Sequence, residues 1–198
     1  MVSMIILGMM VIVTGCSGKN EKEDAQTNET AEHAKVQIEI QDGGKMVFEL
    51  YPEFAPETVK NFVDLSKSGF YDGLKFHRIM KDFMVQGGDP KGDGTGGSDN
   101  NIKGEFEGNG FSQNTLKHVK GTISMARSAS PDSASSQFFI MDGDGSFLDG
   151  QYAAFGKLIE GEDTLDKIAD TSVKKDPYSG DESVPEVDVI IKKVTVLE

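Results

Sequence analysis

Four short blocks of the sequence concentrate aromatic, amide and arginine side chains. They are FHRI at 76–79, FMVQGGD at 83–89, SQFFI at 136–140, and FLDG at 147–150 followed by FGK at 155–157. Alternate residues of a strand share a face, so Gln137 and Phe139 should point one way, and Phe138 and Ile140 the other. One face can then pack in a core while the other forms a site. An arginine beside Phe, Met and Gln side chains predicts a shallow apolar groove with a few directional polar groups, which suits peptide binding.

Other chemistries find less support in the sequence. The glycine-rich run at 87–97 lacks the Gly-Lys-Ser/Thr end of a phosphate-binding loop. The run that starts at Asp142 has Phe147 and Ala153 where a calcium-binding loop needs Gly and Glu. The three histidines and one cysteine show no metal-ligand spacing, and no Gly-x-Ser-x-Gly turn of a serine hydrolase occurs. We therefore expect no metal and no cofactor, and we interpret His118 as a structural histidine bonded to the backbone.

The composition is typical of a globular protein and argues against nucleic acid as a partner. Of the 198 residues, 37% are hydrophobic and 27% are charged. The sequence has 33 acidic and 20 basic residues, so its formal charge is -13. A polyanion should therefore be repelled before contact. A single cysteine cannot form an internal disulfide, so burial alone must hold the core together.

The first residues are not expected to belong to the fold. Residues 2–13 are mostly Ile, Val, Met and Leu, and they are too few for a membrane span, which takes about 20 residues. Their length is typical of the apolar region of a signal peptide, although a buried core segment is an alternative. With the VTGC run at 13–16, the segment resembles the lipobox of bacterial lipoproteins. That resemblance implies a signal peptide at 1–15 and a lipid on Cys16.

A polar segment follows this leader. Residues 17–34 contain no Val, Ile, Leu, Phe or Met, and they carry five acidic and two basic side chains. Such a segment cannot bury enough apolar surface to offset its conformational entropy. We predict that residues 16–34, which include the lipidated cysteine, form a disordered tether, and that residues 35–198 form one domain.

Hydrophobic periodicity within this domain predicts mainly β structure. Val36, Ile38 and Ile40 alternate with polar residues, and the same pattern resumes from Met46 to Leu50 after a glycine turn, which predicts a hairpin. Further strands are predicted at 75–79, 83–87, 122–126, 137–141, 153–158 and 187–197. Two helices are predicted, one from Pro56 to about residue 69 and one at 163–169. Many short strands and two helices predict an antiparallel β-barrel with helices over its open ends.

The motif blocks resemble the cyclophilin family of peptidyl-prolyl cis-trans isomerases. FHRI, FMVQGGD, GTGG at 94–97, SQFFI, LDG and FGK occur in the order found in that family, and the resemblance runs from about Val36 to the last strand. It implies a closed eight-stranded antiparallel β-barrel capped by two α-helices. It also implies that the active groove lies on the outer face of the barrel.

The resemblance assigns a role to each matching residue. The candidates for catalysis are Arg78, His77 and Gln86. The candidates for substrate binding are Phe83, Met84, Ala126, Arg127, Gln137, Phe139, Phe147, Leu148 and Tyr152. Phe147 and Tyr152 replace a tryptophan and a histidine of many eukaryotic members, and the missing indole N–H argues against tight cyclosporin binding.

The expected function is acceleration of X-Pro isomerisation during the folding of exported proteins. The expected partners are proline-containing unfolded or nascent polypeptides, with the protein acting as a monomer, held by Cys16 to the extracytoplasmic face of a bacterial membrane. The alternative is a membrane-tethered module that binds proline-containing peptides, or a holdase chaperone, in which turnover is irrelevant. The same groove serves both functions, so only an assay of catalysis separates them.

Overall fold

A hairpin opens the domain, as its alternating pattern predicts. The structure is a computed structural model that describes residues 33–197, so the predictions for the signal peptide, the lipidated cysteine and most of the tether lie outside the described residues. Strand β1 (Lys35–Ile40) pairs antiparallel with β2 (Lys45–Leu50), and Gly43 takes a φ of 97° in the turn between them. Val36, Ile38 and Ile40 are buried on one face.

The main sheet contains nine strands and nearly closes into a barrel. Its remaining strands are β3 (Lys75–Phe76), β4 (Arg78–Met80), β5 (Met84–Gly87), β6 (Thr122–Met125), β7 (Phe138–Met141), β8 (Ala154–Glu160) and, after a hairpin described below, β11 (Val189–Leu197). The order is β3-β11-β1-β2-β8-β6-β7-β5-β4, and every pairing is antiparallel. The prediction of a mainly β antiparallel barrel with two helices is confirmed.

One predicted strand is broken, and the break explains how the barrel closes. The single strand predicted at 75–79 is divided at His77 into β3 and β4. Strand β3 pairs with β11 whereas β4 pairs with β5, and these two pairings stand at opposite ends of the sheet order. Because the chain passes directly from one end to the other, β3 and β4 act as one kinked strand of an eight-stranded barrel.

Two helices cover the barrel. Helix α1 (Pro56–Lys67) has proline in its first turn and buries Val59 and Phe62. No nearby side chain caps it; instead the distant, buried carboxylate of Glu105 accepts hydrogen bonds from the N–H groups of Glu57 (3.0 Å) and Thr58 (2.8 Å). A negative charge at this end is also favoured by the helix dipole.

Helix α2 (Glu162–Ala169) begins one residue earlier than predicted. It follows Gly161, which has a φ of 91°. A Cβ atom there would lie against the carbonyl oxygen of Lys45. Glycine is therefore required by both the backbone conformation and the close approach of β2.

A second hairpin was not predicted. The segment around Pro177, where no strand is predicted, contains β9 (Val173–Lys175) and β10 (Glu182–Pro185), which pair antiparallel and lie beside β4. The Asp176 carboxylate accepts hydrogen bonds from the N–H groups of Tyr178 and Ser179, and these bonds order the turn. Most residues of this hairpin are polar and exposed, so its strands lack the apolar alternation on which the prediction depended.

Buried side chains form two separate apolar clusters. The inner cluster fills the barrel and is rich in aromatic rings; Phe138 packs edge-to-face on Phe62 at 5.3 Å and on Tyr71 at 5.5 Å between ring centroids. The outer cluster consists of four buried residues, Met84, Phe139, Met141 and Leu148. Strand β7 contributes alternate residues to the two clusters, so the predicted division of this strand into a core face and a second face is confirmed.

Candidate active site

Three of the four outer-cluster residues, Met84, Phe139 and Leu148, line an open pocket of about 200 Å³. Strands β4, β5 and β7 and the segment after β6 supply most of its wall, and the chain from the 3₁₀ turn Ser146–Leu148 to Tyr152 supplies the rest. Its lining residues are Arg78, Phe83, Met84, Gln86, Ala126, Arg127, Phe139, Leu148 and Tyr152. All nine are sequence-predicted site residues, brought together from regions up to 74 positions apart in the chain.

Arg78 stands at the polar edge of this pocket. It lies directly opposite Gln86 in the β4–β5 register. Its Nη1 is 3.5 Å from the Gln86 Oε1 and 3.6 Å from the Met84 Sδ, and its Nη2 is 3.0 Å from the Met80 Sδ. Within residues 33–197 no carboxylate forms an ion pair with it. A thioether is a weak acceptor, and the Gln86 oxygen lies at the outer limit of hydrogen-bond distance, so the donors of Arg78 remain available to a ligand.

A relay of amide hydrogen bonds orients Gln86. Its Nε2 donates to the Gln137 Oε1 at 2.9 Å, and the Gln137 Nε2 donates to the carbonyl oxygens of Gly96 (2.7 Å) and Gly94 (3.1 Å). Backbone carbonyls only accept, which sets the orientation of Gln137 and, through it, that of Gln86. The Gln86 oxygen therefore faces Arg78. Gln137 itself lines a neighbouring polar cavity of about 250 Å³.

The floor of the pocket is supported by a buried histidine. Phe139 stacks on the His118 ring, with centroids 5.9 Å apart, and meets Tyr152 edge-on at 5.8 Å. The His118 Nδ1 is 3.0 Å from the Asp149 carboxylate, and its Nε2 is 3.0 Å from the Ser124 hydroxyl. Because a carboxylate only accepts, Nδ1 donates to Asp149, and the Nε2 of the neutral ring accepts from Ser124. Burial lowers the pKa of His118, which favours this neutral form.

This arrangement corrects one detail of the sequence interpretation. His118 is structural, as expected, but its ring bonds to two side chains rather than to the backbone. The partners lie 6 and 31 residues away in the chain. No local pattern in the sequence could have identified Asp149 as one of them.

Arg127 forms the rim of the pocket. Its guanidinium carbon lies 4.7 Å from the centroid of the Tyr152 ring and 5.0 Å from that of Phe106. Its Nε and Nη2 donate to the carbonyl oxygen of Gln151 at 3.1 and 2.9 Å. The side chain therefore joins the segment after β6 to the chain at Gln151 and Tyr152.

Besides Gln137, two predicted site residues lie outside the pocket lining. His77 is only 8% exposed, and neither ring nitrogen has a hydrogen-bond partner among the described residues. Burial lowers the pKa of His77. Phe147 is 69% exposed and stacks on Phe83 at the rim, with ring centroids 5.6 Å apart. Catalysis by His77 and substrate contact by Phe147 stay predictions.

Sequence reasoning missed Met80, Phe106 and the Ser124–His118–Asp149 group. Met80 had a detectable signal, because it lies two residues after Arg78 and therefore shares its face of the strand. Phe106 had none, since it reaches Arg127 only through tertiary packing.

The fold and site together define a class: a β-barrel with an open apolar pocket, edged by oriented amides and by a cation that has no carboxylate partner among the described residues. Among residues 33–197 there is no group of three or more His, Cys, Asp or Glu side chains that could hold a metal ion. In the same range, no helix is long and apolar enough to cross a membrane. Such a pocket suits a small apolar ring whose neighbouring amide accepts hydrogen bonds.

Comparison with known proteins agrees with this class. The family model described as cyclophilin type peptidyl-prolyl cis-trans isomerase/CLD matches residues 35–196. Peptidyl-prolyl cis-trans isomerase B of Bacillus subtilis is 44% identical over 137 residues, which cover 69% of this chain and 92% of the relative. A putative peptidyl-prolyl cis-trans isomerase of Staphylococcus epidermidis is 39% identical over 183 residues, covering 78% of this chain and 88% of the relative.

Solved structures show the same relationship. A Cryptosporidium parvum cyclophilin type peptidyl-prolyl cis-trans isomerase, crystallised in the presence of the dipeptide Ala-Pro, superposes with a TM-score of 0.71 at 34% identity. The match covers 83% of this chain and 99% of that one. The chain belongs to the cyclophilin-type peptidyl-prolyl cis-trans isomerase family, and its activity is peptidyl-prolyl cis-trans isomerisation.

Proposed function

We propose that Arg78 catalyses the isomerisation by donating a hydrogen bond to the prolyl nitrogen. Rotation about an amide faces a barrier of about 18–20 kcal/mol because the nitrogen lone pair is shared with the carbonyl group. In the twisted state this lone pair is localised and accepts a hydrogen bond. A donor at this position therefore stabilises the twisted state more than the planar one, as catalysis requires.

The observation that carries the proposal is the position of Arg78 at the edge of an open apolar pocket. Among the described residues, this cation has no carboxylate partner. The pocket formed by Phe83, Met84, Phe139 and Leu148 seats the proline ring and fixes one side of the rotating bond. A crystal structure of a relative in the presence of Ala-Pro supports proline-containing peptides as its ligands.

One hydrogen bond is not sufficient. A charge-assisted bond contributes about 1.5–3 kcal/mol, whereas a thousandfold acceleration takes about 4 kcal/mol. The remainder comes from orientation, because Gln86 and the backbone near Ala126 hold the peptide on the other side of the prolyl bond.

The direct test is exchange spectroscopy by NMR on one X-Pro peptide with Arg78→Ala, Arg78→Lys and the unmodified protein. We expect Arg78→Ala to slow exchange by roughly one to three decades while the thermal midpoint moves by only a few degrees. Lysine keeps the charge but not the planar donor fork, so Arg78→Lys should recover only part of the rate. Undiminished exchange in folded Arg78→Ala would leave the groove as a binding surface whose catalysis comes from elsewhere.

We further propose that the protein acts on exported polypeptides at the extracytoplasmic face of a membrane, held there by a lipid on Cys16. The VTGC run at 13–16 and the polar residues 17–34 support this location. The test is fractionation of cells that produce the full chain or Cys16→Ser. The variant should leave the membrane fraction, and unchanged membrane association would contradict lipid anchoring.

A further inference from the structure

A thioether sulfur contacts the guanidinium on which the proposed mechanism depends. Met80 and Arg78 are two residues apart on β4 and share its outer face. The Arg78 Nη2 lies 3.0 Å from the Met80 Sδ, closer than its Nη1 lies to the Met84 Sδ (3.6 Å) or to the Gln86 Oε1 (3.5 Å). Any chemical change at the Met80 sulfur therefore acts directly on Arg78.

Among the methionines that the structure describes, Met80 is also the one that an oxidant can reach. The structure describes five methionines, and four of them are at most 2% exposed: Met46, Met84, Met125 and Met141. Met80 is only partly buried, and it packs at the border of the outer cluster. An oxidant in solution must reach a methionine side chain to oxidise it, so within residues 33–197 it meets Met80 first.

We propose that Met80 is a site of reversible oxidation by peroxides and that its sulfoxide lowers isomerase activity by holding Arg78. In this step the O–O bond of the peroxide breaks and one oxygen forms a bond to the Met80 sulfur. The sulfur is oxidised by two electrons, and hydrogen peroxide is reduced to water. Methionine sulfoxide reductases reverse the change.

The effect on Arg78 follows from acceptor strength. A thioether sulfur is a weak acceptor, whereas the oxygen of a sulfoxide is strongly polar. A charge-assisted N–H···O bond is about twice as strong as a neutral one, so the sulfoxide competes for the donors that the twisted prolyl nitrogen needs. This inference rests on the proposed catalytic role of Arg78, since oxidation at its neighbour affects the rate only through that group.

The test treats the protein and its Met80→Leu variant with dilute hydrogen peroxide. Leucine has a similar volume and no oxidisable sulfur. The kcat/KM of each protein after treatment is divided by its own value before treatment, and peptide mass spectrometry identifies the oxidised methionines. We expect a five- to tenfold loss in the unmodified protein, recovery after a mixture of both stereospecific methionine sulfoxide reductases, and no loss in Met80→Leu. The thermal midpoint should change little, since Met80 lies at the border of its cluster.

Two outcomes would overturn the inference. One is full activity in a protein whose Met80 is shown to be oxidised. The other is an equal loss in Met80→Leu, which would place the sensitive group elsewhere. Neither outcome affects the proposed function, which is judged on the untreated protein by the Arg78 variants.

Discussion

Phe138 and Phe139 are neighbours on β7, yet they belong to different parts of the molecule. Phe138 is fully buried and is enclosed by the rings of Phe62, Tyr71 and Phe76. Phe139 is only 5% exposed, but it lies on the pocket wall, between the His118 ring and Tyr152. Exposure hardly distinguishes the two rings. The difference is in what covers them, since α1 contributes Phe62 to the inner cluster whereas the outer cluster opens into the pocket.

The supports of the two clusters differ as well. The inner cluster is held by ring contacts, and the hydroxyl of Tyr71 donates to the Ser136 carbonyl oxygen at 3.2 Å. The outer cluster lies against the hydrogen-bonded group of His118, Asp149 and Ser124. A small apolar surface with fixed polar support keeps its shape without being covered, and this is what a binding site requires.

The largest expected effect is that of Phe138→Ala. Removing a ring from the enclosed cluster leaves a cavity that its aromatic neighbours cannot fill. The free energy of unfolding should fall by about 3–5 kcal/mol. Urea unfolding followed by circular dichroism measures this loss. Phe138→Leu keeps much of the volume and should lose less; an equal loss would show that the edge-to-face ring contacts, rather than volume, dominate.

Phe139→Ala should separate binding from stability. Its ring borders an open pocket, so water can enter the vacated space, and we expect a loss of about 2 kcal/mol in unfolding free energy. Loss of the pocket floor should lower kcat/KM about tenfold or more, which corresponds to about 1.4 kcal/mol. Unfolding and peptide-exchange measurements on one preparation give both values. A destabilisation equal to that of Phe138→Ala would mean that the two faces of β7 do not differ as described.

Between pH 5 and 8, the pH dependence of stability should come from histidines outside the inner cluster. Burial lowers the pKa values of His77 and His118 below the ordinary 6.5, so the unfolded chain binds protons first as pH falls. Stability is therefore fully present above about pH 6.5 and is lost below it, by up to about 1.4 kcal/mol per pH unit for each histidine. The inner cluster adds nothing here, because burial raises the pKa of Tyr71.

The measurement is urea unfolding at several pH values between 5 and 8. His118→Gln should reduce the slope of stability against pH in the acidic half of this range, and His77→Gln should do the same. An unchanged slope in both variants would show that neither histidine stays neutral in the folded protein.

The smallest expected effect is that of Phe147→Ala. The ring is mostly exposed and rests on Phe83, so its removal should change stability by about 0.5 kcal/mol or less. If the ring contacts the peptide from the rim, kcat/KM should fall by about two- to threefold. An unaltered rate would remove Phe147 from the binding surface, and a loss as large as that of Phe139→Ala would place it in the pocket proper.

The sequence predicted the fold where apolar alternation was strong. The β1–β2 hairpin and both helices were placed within one or two residues at their starts. The β9–β10 hairpin was missed because its exposed strands carry no such pattern. The prediction of one strand at 75–79 overlooked that Phe76 and Ile79, three residues apart, are out of phase with a two-residue period. Pairing partners decide where a strand ends, and a local pattern does not contain them.

For the site, alternation in SQFFI predicted that Phe138 and Phe139 face opposite ways, and the family resemblance named all nine residues that line the pocket. The contacts that hold those residues were not predictable. Asp149 reaches His118 across 31 positions, and Glu105 caps α1 from 47 positions beyond Thr58. Neither spacing corresponds to a helical or strand period.

The sequence by itself determined which residues alternate, where glycine and proline interrupt them and which motif blocks are present, because these depend on steric preferences and periodicity over a few residues. Only the tertiary structure decided that one face of β7 is enclosed and the other open, that no carboxylate of the described residues pairs with Arg78, and that His118 supports the pocket floor. Those outcomes depend on which distant segments come within about 3–4 Å of one another, and barrel closure sets these distances.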